Sequence, residues 1–194
     1  MTRTIEFLFD FGSPTTFLAH RRIAGIVART GAVVDYVPVL LGAIFKATGN
    51  ASPVAVPAKR RYMATDMSRF ARRHGIDLAV NPHFPINTIA LMRGATAYRG
   101  TASYGRYVET MFDAMWARPV DLGNPESVAD VLTAAGFDPA AFVALNAKDD
   151  VKETLKATTE AAIERGVFGA PTFFVDDEMF FGQDRLDWVE AAVA

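Results

Sequence analysis

Apolar residues at Ile5, Phe7, Phe9 and Phe11 alternate with Glu6, Leu8 and Asp10, the period-two pattern of a β-strand. Gly12-Ser13-Pro14 breaks it. Serine caps helices through its side-chain oxygen and proline suits the first helical turn, so a helix is predicted from here to about Thr30, closed by Gly31. Val33 to Val39 reads as a second strand, parallel to the first by the usual handedness of such units. From about Leu41 to Arg165 the apolar spacing turns helical, punctuated by proline and glycine. Asn124-Pro125 and Asp138-Pro139 each read as an N-cap followed by a first-turn proline, and Asp149-Asp150 opens a further helix ending at Gly166. Thr172–Val175 and Met179–Phe181 flank Asp176-Asp177-Glu178 as a hairpin. Gln183-Asp184 then opens a terminal helix carrying Leu186, Trp188 and Val189.

The order is β-α-β, a long helical block, then α-β-β-α. A block of that length is not a loop inside a compact domain, so it is read as an inserted all-helical subdomain. The expected class is α/β.

Composition narrows the chemistry. The 194 residues are 51% hydrophobic and 22% charged, enough to bury a full core. A net charge of −2 gives no overall electrostatic footprint for nucleic acid. No cysteine occurs, which excludes disulfides, thiolate metal sites and thiol redox chemistry by the chain itself. His20, His74 and His83 show no metal-binding spacing. No apolar signal-type segment or membrane-length run appears, and the expectation is a cytoplasmic protein that contacts neither membrane nor nucleic acid.

With Ala170-Pro171 before the third strand, this order resembles the thioredoxin superfamily. Five motifs sharpen the likeness: Asp10-Phe11-Gly12-Ser13-Pro14, Leu40-Leu41-Gly42 through Thr48-Gly49-Asn50, Phe84-Pro85-Ile86-Asn87-Thr88, Gly169-Ala170-Pro171-Thr172-Phe173 and Phe181-Gly182-Gln183-Asp184-Arg185. They occur in the order found in 2-hydroxychromene-2-carboxylate isomerases, close relatives of the kappa-class glutathione transferases. The resemblance implies a thioredoxin-like domain over residues 1–40 and 155–194 with a helical insertion over 41–154.

It also implies glutathione as cofactor and a small aromatic carboxylate as substrate. The reaction would convert 2-hydroxychromene-2-carboxylate to trans-o-hydroxybenzylidenepyruvate by reversible thiolate addition, in bacterial degradation of naphthalene-like aromatics, and a homodimer would carry it out. A kappa-type glutathione transferase and a non-catalytic thioredoxin-like binding module are the alternatives.

Ser13 stands where a redox relative has its reactive cysteine. At a helix N-terminus, backbone N–H groups and the helix dipole favour an anion, and the hydroxyl can donate to a borrowed thiolate. A plain N-cap explains the same serine. Ala170 and Pro171 are expected to form a cis bond and present backbone to a peptide-like ligand. Gly182, Gln183, Asp184 and Arg185 are expected around the γ-glutamyl end, although a capping Asp explains that motif equally well. The resemblance also places Asn50 near glutathione and makes Lys46 and Asn87 substrate contacts, where a helix-ending turn explains Asn50 and a solvated side chain explains Lys46 as well. The basic run Lys59-Arg60-Arg61, with Arg69, Arg72 and Arg73, reads either as a solvated helix face or as an attractor of anionic substrate. Phe45, Tyr62 and Trp116 are candidates for an aromatic pocket, with core packing the more ordinary use of each. One departure stands out: many relatives have an aromatic residue where this chain has Thr15, so a substrate pocket shaped by that aromatic would be altered here.

Overall fold

The computed structural model describes residues 3–194. Four strands form one sheet in the order β2-β1-β3-β4: β1 Thr4–Phe9, β2 Val33–Pro38, β3 Thr172–Val175 and β4 Glu178–Phe181. β1 and β2 are parallel, with Phe7 opposite Tyr36, as expected of strands joined by the crossover helix α1 (Pro14–Thr30). β3 runs antiparallel to both β1 and β4.

The alternation along β1 does not divide core from solvent, because both of its sides are buried. Ile5, Phe7 and Phe9 enter the main core with Phe17, Ile23 and Ile26 of α1. Leu8 faces the other way into a second cluster with Val37, Ile44, Ala162 and Phe174. The sheet is therefore covered on both faces. α1 and the terminal helix α9 (Leu186–Val193) pack against the main core face, while α2 (Leu41–Thr48) and α8 (Asp149–Glu164) cover the other.

The intervening helices are α3 (Pro57–His74), α4 (Ile89–Tyr98), α5 (Tyr104–Phe112), α6 (Pro125–Ala134) and α7 (Pro139–Ala147). This is the α/β fold with a helical insertion that the sequence predicts. The insertion has no separate core: Leu91, Met92, Tyr107 and Phe112 join Phe7, Phe9 and Phe11 in one continuous cluster. The expected boundary at 154/155 falls inside α8, whose packing against α2 and β2 makes it part of the sheet's own covering.

The predicted caps form. Ser13, Asn124 and Asp138 each accept a backbone N–H of their helix, and Gly31 closes α1 in the left-handed region. The hairpin is tighter than expected. Only Asp176 and Asp177 lie in the turn, Asp176 adopts φ 52°, and Glu178 pairs with Val175; aspartate tolerates this conformation in two-residue hairpin loops. The terminal helix begins later than predicted, because Gln183–Arg185 forms a 3-10 turn first. Among the described residues no helix is long and apolar enough to cross a membrane.

Candidate active site

At the β1–α1 junction, Asp10 is 3% exposed and serves as the anchor of three segments. Its Oδ1 accepts from the Gly12 N–H at 2.8 Å and the Thr88 hydroxyl at 2.7 Å, and its Oδ2 accepts from the Leu41 N–H at 2.9 Å. Burial pushes this carboxyl above the usual aspartate range, against the lowering effect of those three donors.

Asp10 also accepts the Ser13 N–H through its own carbonyl, at 3.1 Å. Ser13 is thereby fixed at the start of α1. Its Oγ accepts from the Thr16 N–H at 3.2 Å and donates to the Ala170 carbonyl at 3.0 Å. The Thr15 Oγ1 lies 3.0 Å from the same oxygen, and with the Ser13 proton committed to Ala170, Thr15 is the donor. The position that departs from the relatives thus supplies a second hydroxyl beside Ser13. Capping and site geometry coexist in one side chain: lone pairs serve the helix, and the proton points across to the β3 segment.

That segment contains the expected cis bond between Ala170 and Pro171; a second cis bond, Phe84-Pro85, was not expected. The Ala170 N–H makes no hydrogen bond among the described residues. Next to it, Gly182 adopts φ 105°, and a Cβ there would lie 2.5 Å from Asp184 Oδ1; only glycine fits the bend. Gln183 is 5% exposed. Arg22 of α1 donates to its carbonyl at 2.6 Å and to its Oε1 at 3.1 Å. This fixes the carbonyl end of the amide and leaves its NH₂ without a protein partner among the described residues.

Of these groups Ser13, Thr15, Ala170, Pro171, Gly182 and Gln183 line a cavity of about 760 Å³ together with a set of apolar side chains: Phe45, Met63, Met67, Phe70, Phe84 and Trp116. Trp116 sits on a π-helical turn, Asp113–Ala117, that prolongs α5, and is anchored by donating Nε1–H to the Phe11 carbonyl at 2.7 Å. Such turns often occur at functional sites.

Of the predicted site residues, Ser13, Asn50, Ala170, Pro171, Gly182, Gln183 and Asp184 line this one cavity. Asn50 acts as a brace: its Nδ2 donates to the Phe168 carbonyl at 2.9 Å and its Oδ1 accepts from Ala51. Lys46, Asn87 and Arg185 do not line the cavity. Phe45 and Lys46 are neighbours on α2 and so point about 100° apart; Phe45 faces the cavity and Lys46 faces solvent. Asn87 is turned toward the start of α4, where its Oδ1 accepts from Ile89 at 3.0 Å. Arg185 pairs with Asp184 at 2.6 Å. Tyr62 is exposed on α3, whereas Phe45 and Trp116 belong to the pocket.

The sequence reading gave no role to Asp10, Arg22 or the stripe Met63-Met67-Phe70. The stripe alone had a legible signal, since residues four and three apart share one helix face on an otherwise polar α3.

A DSBA-like thioredoxin domain model matches residues 4–194. The 2-hydroxychromene-2-carboxylate isomerase of Pseudomonas putida is 33% identical over 193 residues, covering 97% of this chain and 93% of its own. The chain belongs to the 2-hydroxychromene-2-carboxylate isomerase family. A solved structure of a 2-hydroxychromene-2-carboxylate isomerase superposes with a TM-score of 0.88 at 31% identity, covering 97% of this chain and 93% of that one. Human glutathione S-transferase kappa 1 is also similar, 28% identical with 96% and 89% covered. Family membership makes an isomerase the expected class of enzyme. The fold is that of DSBA-like proteins, yet Ser13-Pro14-Thr15-Thr16 and the absence of cysteine leave the chain no thiol of its own.

Proposed function

We propose that this protein is a glutathione-dependent isomerase of 2-hydroxychromene-2-carboxylate or a closely similar aromatic carboxylate. One observation carries the reading: a buried serine hydroxyl at a helix N-terminus faces a cis Ala170-Pro171 backbone inside a cavity that is mostly apolar. The residues present suit a tripeptide thiol. Among the described residues, Ala170 offers an N–H without a protein partner and a carbonyl engaged only by Ser13, Gln183 offers an oriented NH₂, and Asp184 offers a carboxylate for an ammonium.

When bound, glutathione supplies the nucleophilic sulfur. The chain does the rest. Ser13 would donate a hydrogen bond from its hydroxyl to that sulfur, and the positive end of α1 favours the ionised thiolate. The Ser13 hydroxyl donates to the Ala170 carbonyl, and a peptide-like ligand that took up that carbonyl would free the hydroxyl to donate to the sulfur instead. Thr15 keeps the Ser13 oxygen oriented throughout. Phe84, Trp116 and the α3 stripe take up the flat body of the substrate and keep water from the reacting atoms.

The test is spectroscopic. Purified protein, glutathione and 2-hydroxychromene-2-carboxylate are mixed and conversion to trans-o-hydroxybenzylidenepyruvate is followed; a rate no higher than that without glutathione ends the reading. The likeness to a kappa transferase supports a second reading, in which a glutathione conjugate leaves as product. Counting free thiol after many turnovers separates them, because the isomerase returns all of its glutathione. We further propose a cytoplasmic homodimer, for which light scattering is the check on assembly.

A further inference from the structure

The cavity has a charge pattern that neither the thiol site nor the apolar pocket accounts for. Among its lining residues there is one cationic side chain, Arg60, and two acids, Asp66 and Asp184. Asp184 pairs with Arg185, and Asp66 is approached by Arg69. Arg60 has no ion pair and no side-chain hydrogen bond to any described residue, while its neighbours Lys59 and Arg61 lie outside the lining. It stands in the first turn of α3, on the face that continues through Met63 and Met67 to Phe70. A guanidinium with all its donors free, at the head of an apolar stripe, matches an organic anion whose charge and flat hydrocarbon lie at opposite ends.

We propose that Arg60 anchors the carboxylate of the aromatic substrate and so determines the selectivity of the site for aromatic acids. The assignment rests on the isomerase reading above, and it transfers to Arg60 the role that sequence reasoning gave Lys46. Glutathione carries carboxylates of the same chemistry, so the test has to separate the two sources.

The measurement uses the full chain with Arg60→Gln and Arg60→Lys, both at a solvent-exposed position of a helix surface, with thermal melting to confirm an unchanged fold. For Arg60→Gln the account predicts a rise in KM for 2-hydroxychromene-2-carboxylate of about 10- to 100-fold, as for a lost charge-assisted hydrogen bond. kcat should change little, and the calorimetric affinity for glutathione should be unchanged. Arg60→Lys should recover part of the KM. A second readout needs no turnover: coumarin-3-carboxylate should bind the native protein more tightly than coumarin-3-carboxamide by about tenfold or more, and Arg60→Gln should abolish that preference.

If the preference survives in Arg60→Gln, the proposal is wrong. It is equally wrong if that variant weakens glutathione binding and leaves the substrate KM alone, since the guanidinium would then serve the tripeptide. Should the native protein fail to isomerise with glutathione while the Arg60-dependent preference persists, the isomerase reading falls and the carboxylate anchor stands.

Discussion

The two sides of the cavity are built on different physical terms. On the β1–α1 side, Asp10, Ser13, Thr16, Thr172 and Gln183 are all 5% exposed or less, and side-chain hydrogen bonds from Asp10 to Leu41 and Thr88, from Ser13 to Ala170 and from Arg22 to Gln183 join segments far apart in the chain. On the α3 side, one residue of the eighteen, Ala71, is buried, and the helix meets the cavity through Arg60 and the Met63-Met67-Phe70 stripe. One side is fixed by polar bonds that leave little freedom, the other by apolar side chains that can be exchanged. On the proposed function, reaction geometry would be held on the first and substrate choice on the second. Substitutions on the first side should therefore show in stability and rate, and those on the second in KM.

The sharpest break of that contrast is Asp10→Ala. It leaves the part-buried Gly12 and Leu41 N–H groups and the Thr88 hydroxyl without their acceptor, and at about 1 kcal/mol for each partly buried unmet donor urea unfolding should show a loss of about 3 kcal/mol. Ser13→Ala should lower the glutathione-dependent rate by about 100-fold, as for removal of one preorganised donor. It should reduce stability by only about 1 kcal/mol, the worth of a helix cap. Met67→Ala on the other side should raise KM for the aromatic substrate by about tenfold, the effect of removing a few buried methylene-sized groups, with the melting temperature nearly unchanged. A stability loss as large as that of Asp10→Ala would instead make α3 part of the structural core and erase the contrast.

The smallest effect lies away from the cavity. Glu109 of α5 accepts from His20 at 2.7 Å and from Arg21, and the His20 hydrogen bond leads the interactions that hold its carboxyl down at about 2, against 4.5 for an ordinary glutamate. A carboxylate depressed on folding stabilises the protein fully above its unfolded pKa and loses that contribution as pH falls toward the folded value. The window is therefore pH 4.5 down to about 2. The side chain is 48% exposed, so solvent screening reduces the loss to about 1 kcal/mol. Glu109→Gln should flatten the acid limb of a stability–pH profile by that amount.

What the sequence disclosed follows the range of the interactions involved. Ser13 before Pro14, Gly31 after α1 and the strand alternation of β1 are local patterns, and each appears in the structure. The cis Ala170-Pro171 bond was foreseen only through five motifs taken in order. Asp10 was quoted within a motif but given no task, because its partners are 31 and 78 positions away. Arg22 reaches Gln183 across 161 positions and carried no local signal. Lys46 illustrates a different limit. A cation near a motif can be read from sequence, but the phase of a short helix decides which side chain faces in, and α2 presents Phe45 to the cavity instead. The burial of both faces of β1 was hidden because Leu8 sits between polar Glu6 and Asp10, which made its side look solvent-facing.

The account turns on whether a sulfur that the chain does not carry comes to rest beside Ser13. A crystal structure of the protein soaked with glutathione tests this directly. The account predicts the cysteinyl sulfur within hydrogen-bonding distance of Ser13 Oγ, with the Ala170 carbonyl transferred from the serine to the tripeptide's amide. Glutathione located elsewhere, with Ser13 still bonded to Ala170 at full concentration of ligand, would contradict it.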